Sequence, residues 1–285
     1  MMNKRLSILI ILYEENFEVI KKCLSNINEY KIIIIDNAND QSLKDKIIKN
    51  FKIYKYFLNK KNIGFSKAAN QGISECNTEY LFILGADCLI TNQDIEQLMF
   101  AKEKYNNCFL TSPTFYDSKG NFDYNGGPLY EDGSKNEPLK NSGDVCVNAV
   151  LTTAVLFKIN DIKEIGFFDE EFFLYFLDDD LCKRIKNINK SVVQVFNAKA
   201  IHTHGQLKIK NKLKKIFFRN FYFDYEELYY LYKNNLHQKK YNIVKKKIPK
   251  FIFKFFINLL IIRFDKSIYY LSKLLAFYKF RNFIK

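Results

Sequence analysis

In the first 112 residues, short apolar runs take turns with segments of helical spacing, and this alternation narrows the fold more than any other feature. Residues 6–12, 31–35, 53–57, 80–84 and 108–112 read as strands, with helices expected over 17–27, 41–50, 65–75 and 92–105. Thr91 followed by Asp94 has the spacing of a capping box, with Asp where Glu or Gln is usual. Strands alternating with helices imply an α/β fold, a mostly parallel sheet flanked by helices on both faces. Ligands of such sheets gather beyond the carboxyl ends of the strands. That rule singles out Tyr13 and Glu14, Asp36 and Asn37, and Asp87. The run 6–12 follows Lys4-Arg5 but is short and ends at Glu14-Glu15, so it reads as a buried strand rather than an export signal.

Residues 114–143, rich in Gly, Asp, Asn and Ser and containing Pro128 and Pro138, read as a long loop or hairpin over the site, an acceptor-side flap. Strand character returns over 145–158, a short helix is expected after Asn160, another over 179–188, and a strand over 191–196. Six scattered cysteines without a C-x-x-C pair suggest reduced thiols in a cytoplasmic protein, neither a disulfide frame nor a zinc site. No stretch approaches the roughly 20 apolar residues of a membrane-spanning helix. Charge divides the chain in two. Residues 206–285 hold 20 Lys and Arg against 4 Asp and Glu, or +16, while residues 1–205 hold 25 against 27, or −2. A near-neutral body with a basic helical extension implies a local, anionic partner for the extension.

The densest chemistry lies between Gly166 and Gly205. Asp178, Asp179 and Asp180 follow the apolar run 172–177, where ionised carboxylates lose hydration. A cation, a hydrogen-bond network or a proton to be taken would offset that cost; so would the first turn of a helix with Asp178 as its cap. Asp36-Asn37 closes a run of four isoleucines, and a carboxylate there suits the imide N–H of a uracil or thymine, or simply a turn. Asn62, Gly64, Lys67 and Asn70 lie in a glycine-bearing turn entering a helix, whose first N–H groups suit a diphosphate. The turn matches neither a P-loop nor the dinucleotide-binding glycine pattern. Asp87 follows 80–84 across the small residues Gly85-Ala86, a place for a ligand of a hard divalent cation or for a solvated turn. His202 and His204 share one face of an extended segment, as metal or diphosphate contacts or as structural residues.

Taken in chain order, Leu6-Ser-Ile-Leu-Ile-Ile-Leu-Tyr13, Asp36-Asn37, Asn62-Ile-Gly-Phe-Ser-Lys-Ala-Ala-Asn70-Gln-Gly72, Leu81-Phe-Ile-Leu-Gly-Ala-Asp87, Gly166-Phe-Phe-Asp-Glu-Glu-Phe-Phe-Leu-Tyr175, Asp178-Asp-Asp-Leu-Cys-Lys-Arg184 and His202 give the chain its resemblance. It resembles an inverting family-2 glycosyltransferase of the GT-A fold, of the rhamnosyltransferase-like branch. The resemblance covers residues 6 to about 205, read as the catalytic domain 1–205. It implies that Tyr13 and Asp36, with Asn37, hold the nucleotide, and that Asn62, Gly64, Lys67 and Asn70 shape the donor pocket. It implies further that Asp87 binds Mg²⁺ or Mn²⁺ on the donor diphosphate with help from His202. Asp178 would be the catalytic base, and Thr152 and Thr153 would face the donor sugar. Three positions depart from the family pattern: Gly85 stands two before Asp87 in place of an acid or Asn, Leu177 replaces the Glu before the base, and Glu14 replaces Asn. The second departure leaves Asp179 as a competitor for the base.

The extension 206–285 reads as helices rich in Lys, Phe and Tyr. Lys247, Lys250, Lys254 and Asn258 recur at helical spacing and leave a broad apolar surface, a pattern suited to an anionic membrane interface or to packing on a domain. The resemblance implies a nucleotide-sugar donor and a saccharide acceptor, and a membrane-lying extension would suit a lipid-linked acceptor of surface polysaccharide synthesis and residence at the inner face of the cell membrane. A non-catalytic membrane-surface scaffold and a nucleic-acid binder are the competing classes. No nucleic acid is expected, because no recognised nucleic-acid module precedes the extension.

Overall fold

The computed structural model describes residues 5–27, 29–123, 126–133, 142–203 and 211–285. His204, Pro138 and the first residues of the extension, 206–210, lie outside these. The chain divides into two compact units, the described parts of Met1–Glu170 and Leu177–Leu207, and those of Glu171–Phe176 and Lys208–Lys285. A division at 205 and 206 does not anticipate that 171–176 groups with the helices.

The first unit begins with β1 (Leu6–Leu12), α1 (Phe17–Ser25), β2 (Lys31–Asp36), α2 (Gln41–Asn50), β3 (Lys55–Leu58), α3 (Phe65–Ser74) and β4 (Tyr80–Leu84). It continues with β5 (Cys88–Ile90), α4 (Asn92–Lys104), β6 (Cys108–Tyr116), β7 (Val145–Val147), β8 (Ala154–Lys158), α5 (Ile159–Glu164), α6 (Leu177–Asn187) and β9 (Ser191–His202). The sheet order is β3-β2-β1-β4-β8-β6-β9-β5, with β7 beside β9. β1 to β4 are mutually parallel, and β8 runs antiparallel to β4 and β6. Ile32, Ile33, Ile34 and Ile35 are all buried, and continuous apolar strands of this kind belong in a sheet covered on both faces. Thr91 caps α4 through its Oγ1, which accepts from Asp94 N, while the Asp94 side chain accepts from Thr91 N, so the capping box forms with Asp at its third position.

Several elements differ from the sequence expectation. The strand expected over 145–158 is two, because β7 pairs with β9 while β8 pairs with β4 and β6, leaving Thr152 and Thr153 in the turn that enters β8. β9 runs on to His202 because its second half pairs with β5. β5 itself, three residues long, escaped notice. α6 starts at Leu177, so Asp178, Asp179 and Asp180 fill its first turn, where unpaired N–H groups favour negative charge.

The second unit contains α7 (Lys212–Lys233), α8 (His237–Leu260) and α9 (Phe264–Phe283). Tyr225, Leu228, Ala276, Phe277 and Phe280 form its core, joined by Tyr241, Val244 and Ile248. The short segment 171–176 packs on α7: Phe173 stacks on Tyr222 with centroids 4.0 Å apart, and Phe172 meets Tyr229 edge-on. Fully buried Glu226 accepts the backbone N–H groups of Phe173 (2.7 Å), Leu174 (3.1 Å) and Tyr175 (2.6 Å). Burial pushes its carboxyl up to about 7, against the pull of those donors and of Lys279. On α8 the sequence reading needs correction. Asn258, expected on the solvent-facing polar stripe, is buried, its amide donating to Lys254 O, and Ser267 of α9 donates to Phe255 O nearby. The aromatic surface, read as facing a membrane interface or a domain, is partly outward, Phe253 and Phe256 being exposed. Among the described residues no helix is long and apolar enough to cross a membrane.

Two outcomes follow from this packing. A Cβ at Gly72 of α3 would meet the Leu9 Cδ atoms of β1 at 2.3 and 2.5 Å. In an open helix Gly→Ala gains about 1 kcal/mol, but overpacking here costs about 1–3 kcal/mol. Gly72→Ala is therefore expected to lower Tm in thermal unfolding, and a raised Tm would contradict the packing. Glu226 has a raised folded-state pKa, so its contribution to stability is complete below the unfolded value of 4.5 and is lost as pH rises through about 7. The Tm of Glu226→Gln should fall less than that of wild type across that window; parallel curves would contradict the assignment.

Candidate active site

β1, β2 and β4 run parallel, so Tyr13, Asp36 and the segment Gly85 to Asp87 leave the sheet at one edge. β8 runs the other way, with Leu84 opposite Ala154, so Thr152 and Thr153 enter it at that same edge. Gly85 N donates to Thr153 O at 2.7 Å, and Thr152 N donates to Asp178 Oδ1 at 2.7 Å. Two adjacent residues of one turn thus tie the end of β4 to the start of α6. A Cβ on Gly85 would stand 3.0 Å from Asp87 Oδ1 and 3.1 Å from Thr153 Cγ2. The larger residue usual in the family pattern would press on both, whereas glycine lets Asp87 and Thr153 come together.

Pairing of β5 with β9 sets Cys88 opposite His202, and the Thr203 N–H and hydroxyl both donate to Asp87 O. His202 lies between two carboxylates, Nε2 at 3.4 Å from Asp87 Oδ2 and Nδ1 at 3.4 Å from Asp123 Oδ2. Burial works to lower the imidazole pKa, but Asp87 and Asp123 outweigh it and hold the ring above its ordinary value. Glu15 is raised by burial and then by the nearby Asp87 charge. Sequence reasoning missed Glu15 and Asp123. The strand-end rule reaches Glu15, one residue past Glu14; Asp123 sits in a loop with no periodic signal. The Asp87 carboxylate suits a hard cation such as Mg²⁺ or Mn²⁺, and the softer imidazole nitrogen beside it favours Mn²⁺ of the two. No ready-made group of three ligating side chains exists among the described residues, so a cation held by Asp87 and His202 would draw further ligands from a bound diphosphate or water.

The three carboxylates of α6 have different surroundings. Asp179 is 5% exposed and accepts from Tyr130 N at 2.8 Å; Asp180 is 2% exposed and pairs with Arg184 at 2.9 Å, one helical turn on. Asp178 remains half-buried, the one member of the trio within reach from outside.

Of the other donor-side candidates, Asp36, Asn37, Asn62 and Asn70 bond within the frame. Asp36 is fully buried; Oδ1 accepts from Ala38 N at 2.7 Å and Oδ2 from the Tyr56 hydroxyl at 3.1 Å, and burial raises its pKa despite them. Asn37 joins Gly64 O to Asn59 Nδ2, and Asn62 Oδ1 accepts from Gly64 N. Gly64, at φ 86°, starts α3 without a side-chain cap. Ser66, in the first turn, is buried with its hydroxyl unpaired, and Lys67 is exposed. Asn70 brackets Phe168, donating to its O at 2.9 Å and accepting from its N at 3.0 Å, and also reaches Glu170. Glu14, at φ 55°, follows the half-buried Tyr13.

Comparison with known proteins adds an independent line. The family model described as Glycosyl transferase family 2 matches residues 7–159. The chain is 24% identical over 222 residues to the dTDP-rhamnosyl transferase RfbF of Shigella flexneri, covering 73% of this chain and 72% of that protein. It is 24% identical over 210 residues to the low-salt glycan biosynthesis hexosyltransferase Agl10 of Haloferax volcanii, covering 69% and 66%. Among solved structures, GalNAc-T7 with UDP, GalNAc and Mn²⁺ aligns with a TM-score of 0.61 at 14% identity, over 78% of this chain and 50% of that one. The mannosyltransferase PcManGT of Pyrobaculum calidifontis, in complex with GDP-Man and Mn²⁺, aligns with a TM-score of 0.53 at 12% identity, over 77% and 62%. The chain thus spans half to about two thirds of the length of these structures. They fix the fold as GT-A, with a helical C-terminal region in this chain.

Asn70→Ala removes bonds to both backbone groups of buried Phe168, and leaving them unpaired costs about 1–3 kcal/mol. A lower urea midpoint is the expected result; an unchanged midpoint would show that the bracket contributes nothing.

Proposed function

We propose, from the premise that this chain belongs to glycosyl transferase family 2, that it moves a sugar from a nucleotide-diphosphate donor to a saccharide hydroxyl in one inverting displacement. The observation that carries this reading is the Thr152–Thr153 turn, which draws the β4 end that bears Asp87 and the half-buried Asp178 to one place. Asp178 is the base. It takes the proton of the acceptor hydroxyl as that oxygen bonds to the anomeric carbon, and the bond from that carbon to the diphosphate breaks with its electron pair leaving on the nucleotide. Thr152 N–H fixes the orientation of the base, and the burial of Asp179 and Asp180 supports Asp178 over its neighbour. Asp87, assisted by His202, would hold Mg²⁺ or Mn²⁺, which when bound supplies positive charge to the leaving diphosphate. The uncapped start of α3 at Gly64, with Ser66 and Lys67, would offer further donors to that group. Tyr13 and Asp36 border the nucleotide, while Asn37, Asn62 and Asn70 hold the walls of the donor pocket in shape.

A donor of rhamnosyl or hexosyl type is supported by what the curated relatives are named for. A lipid-linked saccharide acceptor of the cell envelope, met at the cytoplasmic face of the membrane, suits the basic helical unit. Asn at position 178 keeps an oxygen for Thr152 N–H, so Asp178→Asn should fold normally. Turnover should drop about 10²–10⁴-fold with donor affinity kept. Full activity in that variant would remove Asp178 from the role. A screen of nucleotide sugars with Mn²⁺ should raise Tm for one donor class, and Asp87→Ala should abolish that rise. A rise unaffected by the substitution would place the donor elsewhere.

A further inference from the structure

The second unit holds a surface that sugar transfer does not use. The C-terminal half of α8 and the turn into α9 turn their largest apolar side chains to solvent: Leu260 is 78% exposed, Ile262 73% and Phe253 63%, with Phe256, Ile261 and Phe264 beside them. The polar Asn258 in the middle of this stretch faces inward and is buried. Such an inversion is unfavourable in water, where apolar area seeks cover. Charge says what kind of cover fits. α8 carries seven lysines and no carboxylate, and Lys245, Lys246, Lys247 and Lys250 are exposed on the half that leads to the apolar corner. Arg263 and Lys266, also exposed, flank the corner on the α9 side. A second copy of the chain would bring these cations face to face, whereas an anionic bilayer satisfies both halves at once.

We propose that the α8–α9 corner is an insertion wedge for an anionic lipid bilayer. Leu260, Ile261 and Ile262 enter the boundary between headgroups and acyl chains, and the lysines of α8 lie on the phosphates. The shape is that of a surface anchor, in keeping with the lack of a membrane-crossing helix among the described residues. This deepens the membrane element of the function proposed above but stands on separate residues, none of them in the transfer site.

The test is flotation of the intact protein with phosphatidylcholine vesicles, with and without phosphatidylglycerol, in the absence of any sugar donor or acceptor. Wild type should float with the anionic vesicles only, and high salt should release it. Leu260→Glu combined with Ile262→Glu should weaken binding about tenfold or more while Tm and transfer to a soluble acceptor stay unchanged. Because the chain lacks Trp, Leu260→Trp supplies a single reporter, whose emission should shift to the blue on anionic vesicles. Wild type that fails to float, a double variant that floats like wild type, or an unshifted Trp would each overturn the wedge. So would a dimer in sedimentation that the double variant dissolves while vesicle binding is absent. Failure here leaves the transferase reading intact, and an inactive Asp178→Asn variant should still float.

Discussion

Two hydrogen bonds made by the backbone of adjacent residues tie the candidate site together. Thr153 O receives Gly85 N–H from the end of β4, and Thr152 N–H goes to the Asp178 carboxylate at the start of α6. The elements joined are far apart in sequence, and neither bond depends on the threonine side chain. Their geometry instead depends on the split between β7 and β8, which frees residues 148–153 to turn, and on Gly85, whose missing Cβ leaves room for Thr153 and Asp87. A small backbone feature thereby ties the β4 end that leads to Asp87 to the first turn of α6 that carries Asp178.

Electrostatics divides labour among the acids. Asp179 and Asp180 are buried and bonded to Tyr130 N–H and to Arg184, so they stabilise the entry of α6. Asp178 keeps access to the outside. At the other carboxylate, burial and then the Asp87 charge raise the Glu15 pKa, while Asp87 and Asp123 raise that of His202 against the effect of its burial. Such crowding of carboxylates is costly, and a hard cation would relieve it. In the helical unit, Glu226 represents the opposite solution: three backbone donors surround one buried carboxylate and anchor the segment 171–176 to α7.

Much of the fold was legible because its signals are local. β1, β4 and α2 have their expected limits, since uninterrupted apolar runs and an Asp40 cap define them without tertiary help. What was not legible depends on partners. β5 is too short to show a period, the break in 145–158 exists because two halves choose different neighbours, and the burial of Asn258 follows from the packing of α8 against α9. In the candidate site, strand-end position, an acid cluster and family resemblance singled out Asp87, Asp178 and His202. Asn37 and Asn70 were read as donor contacts, yet their amides are spent on Gly64, Asn59 and Phe168. Sequence marks such residues as polar and well placed but does not reveal whether fold or ligand claims them.

In the proposed reaction one cleft, at the carboxyl ends of β1, β2 and β4, takes the nucleoside diphosphate beside Asp87 and leaves the sugar next to Asp178. A crystal structure of the protein grown with Mn²⁺ and a nucleoside diphosphate tests it most directly. The metal is expected on Asp87, the diphosphate between it and the start of α3, with open space beside Asp178 for the sugar. A nucleotide bound away from that sheet edge, or seated with Asp178 on the far side of the protein from it, would contradict the account.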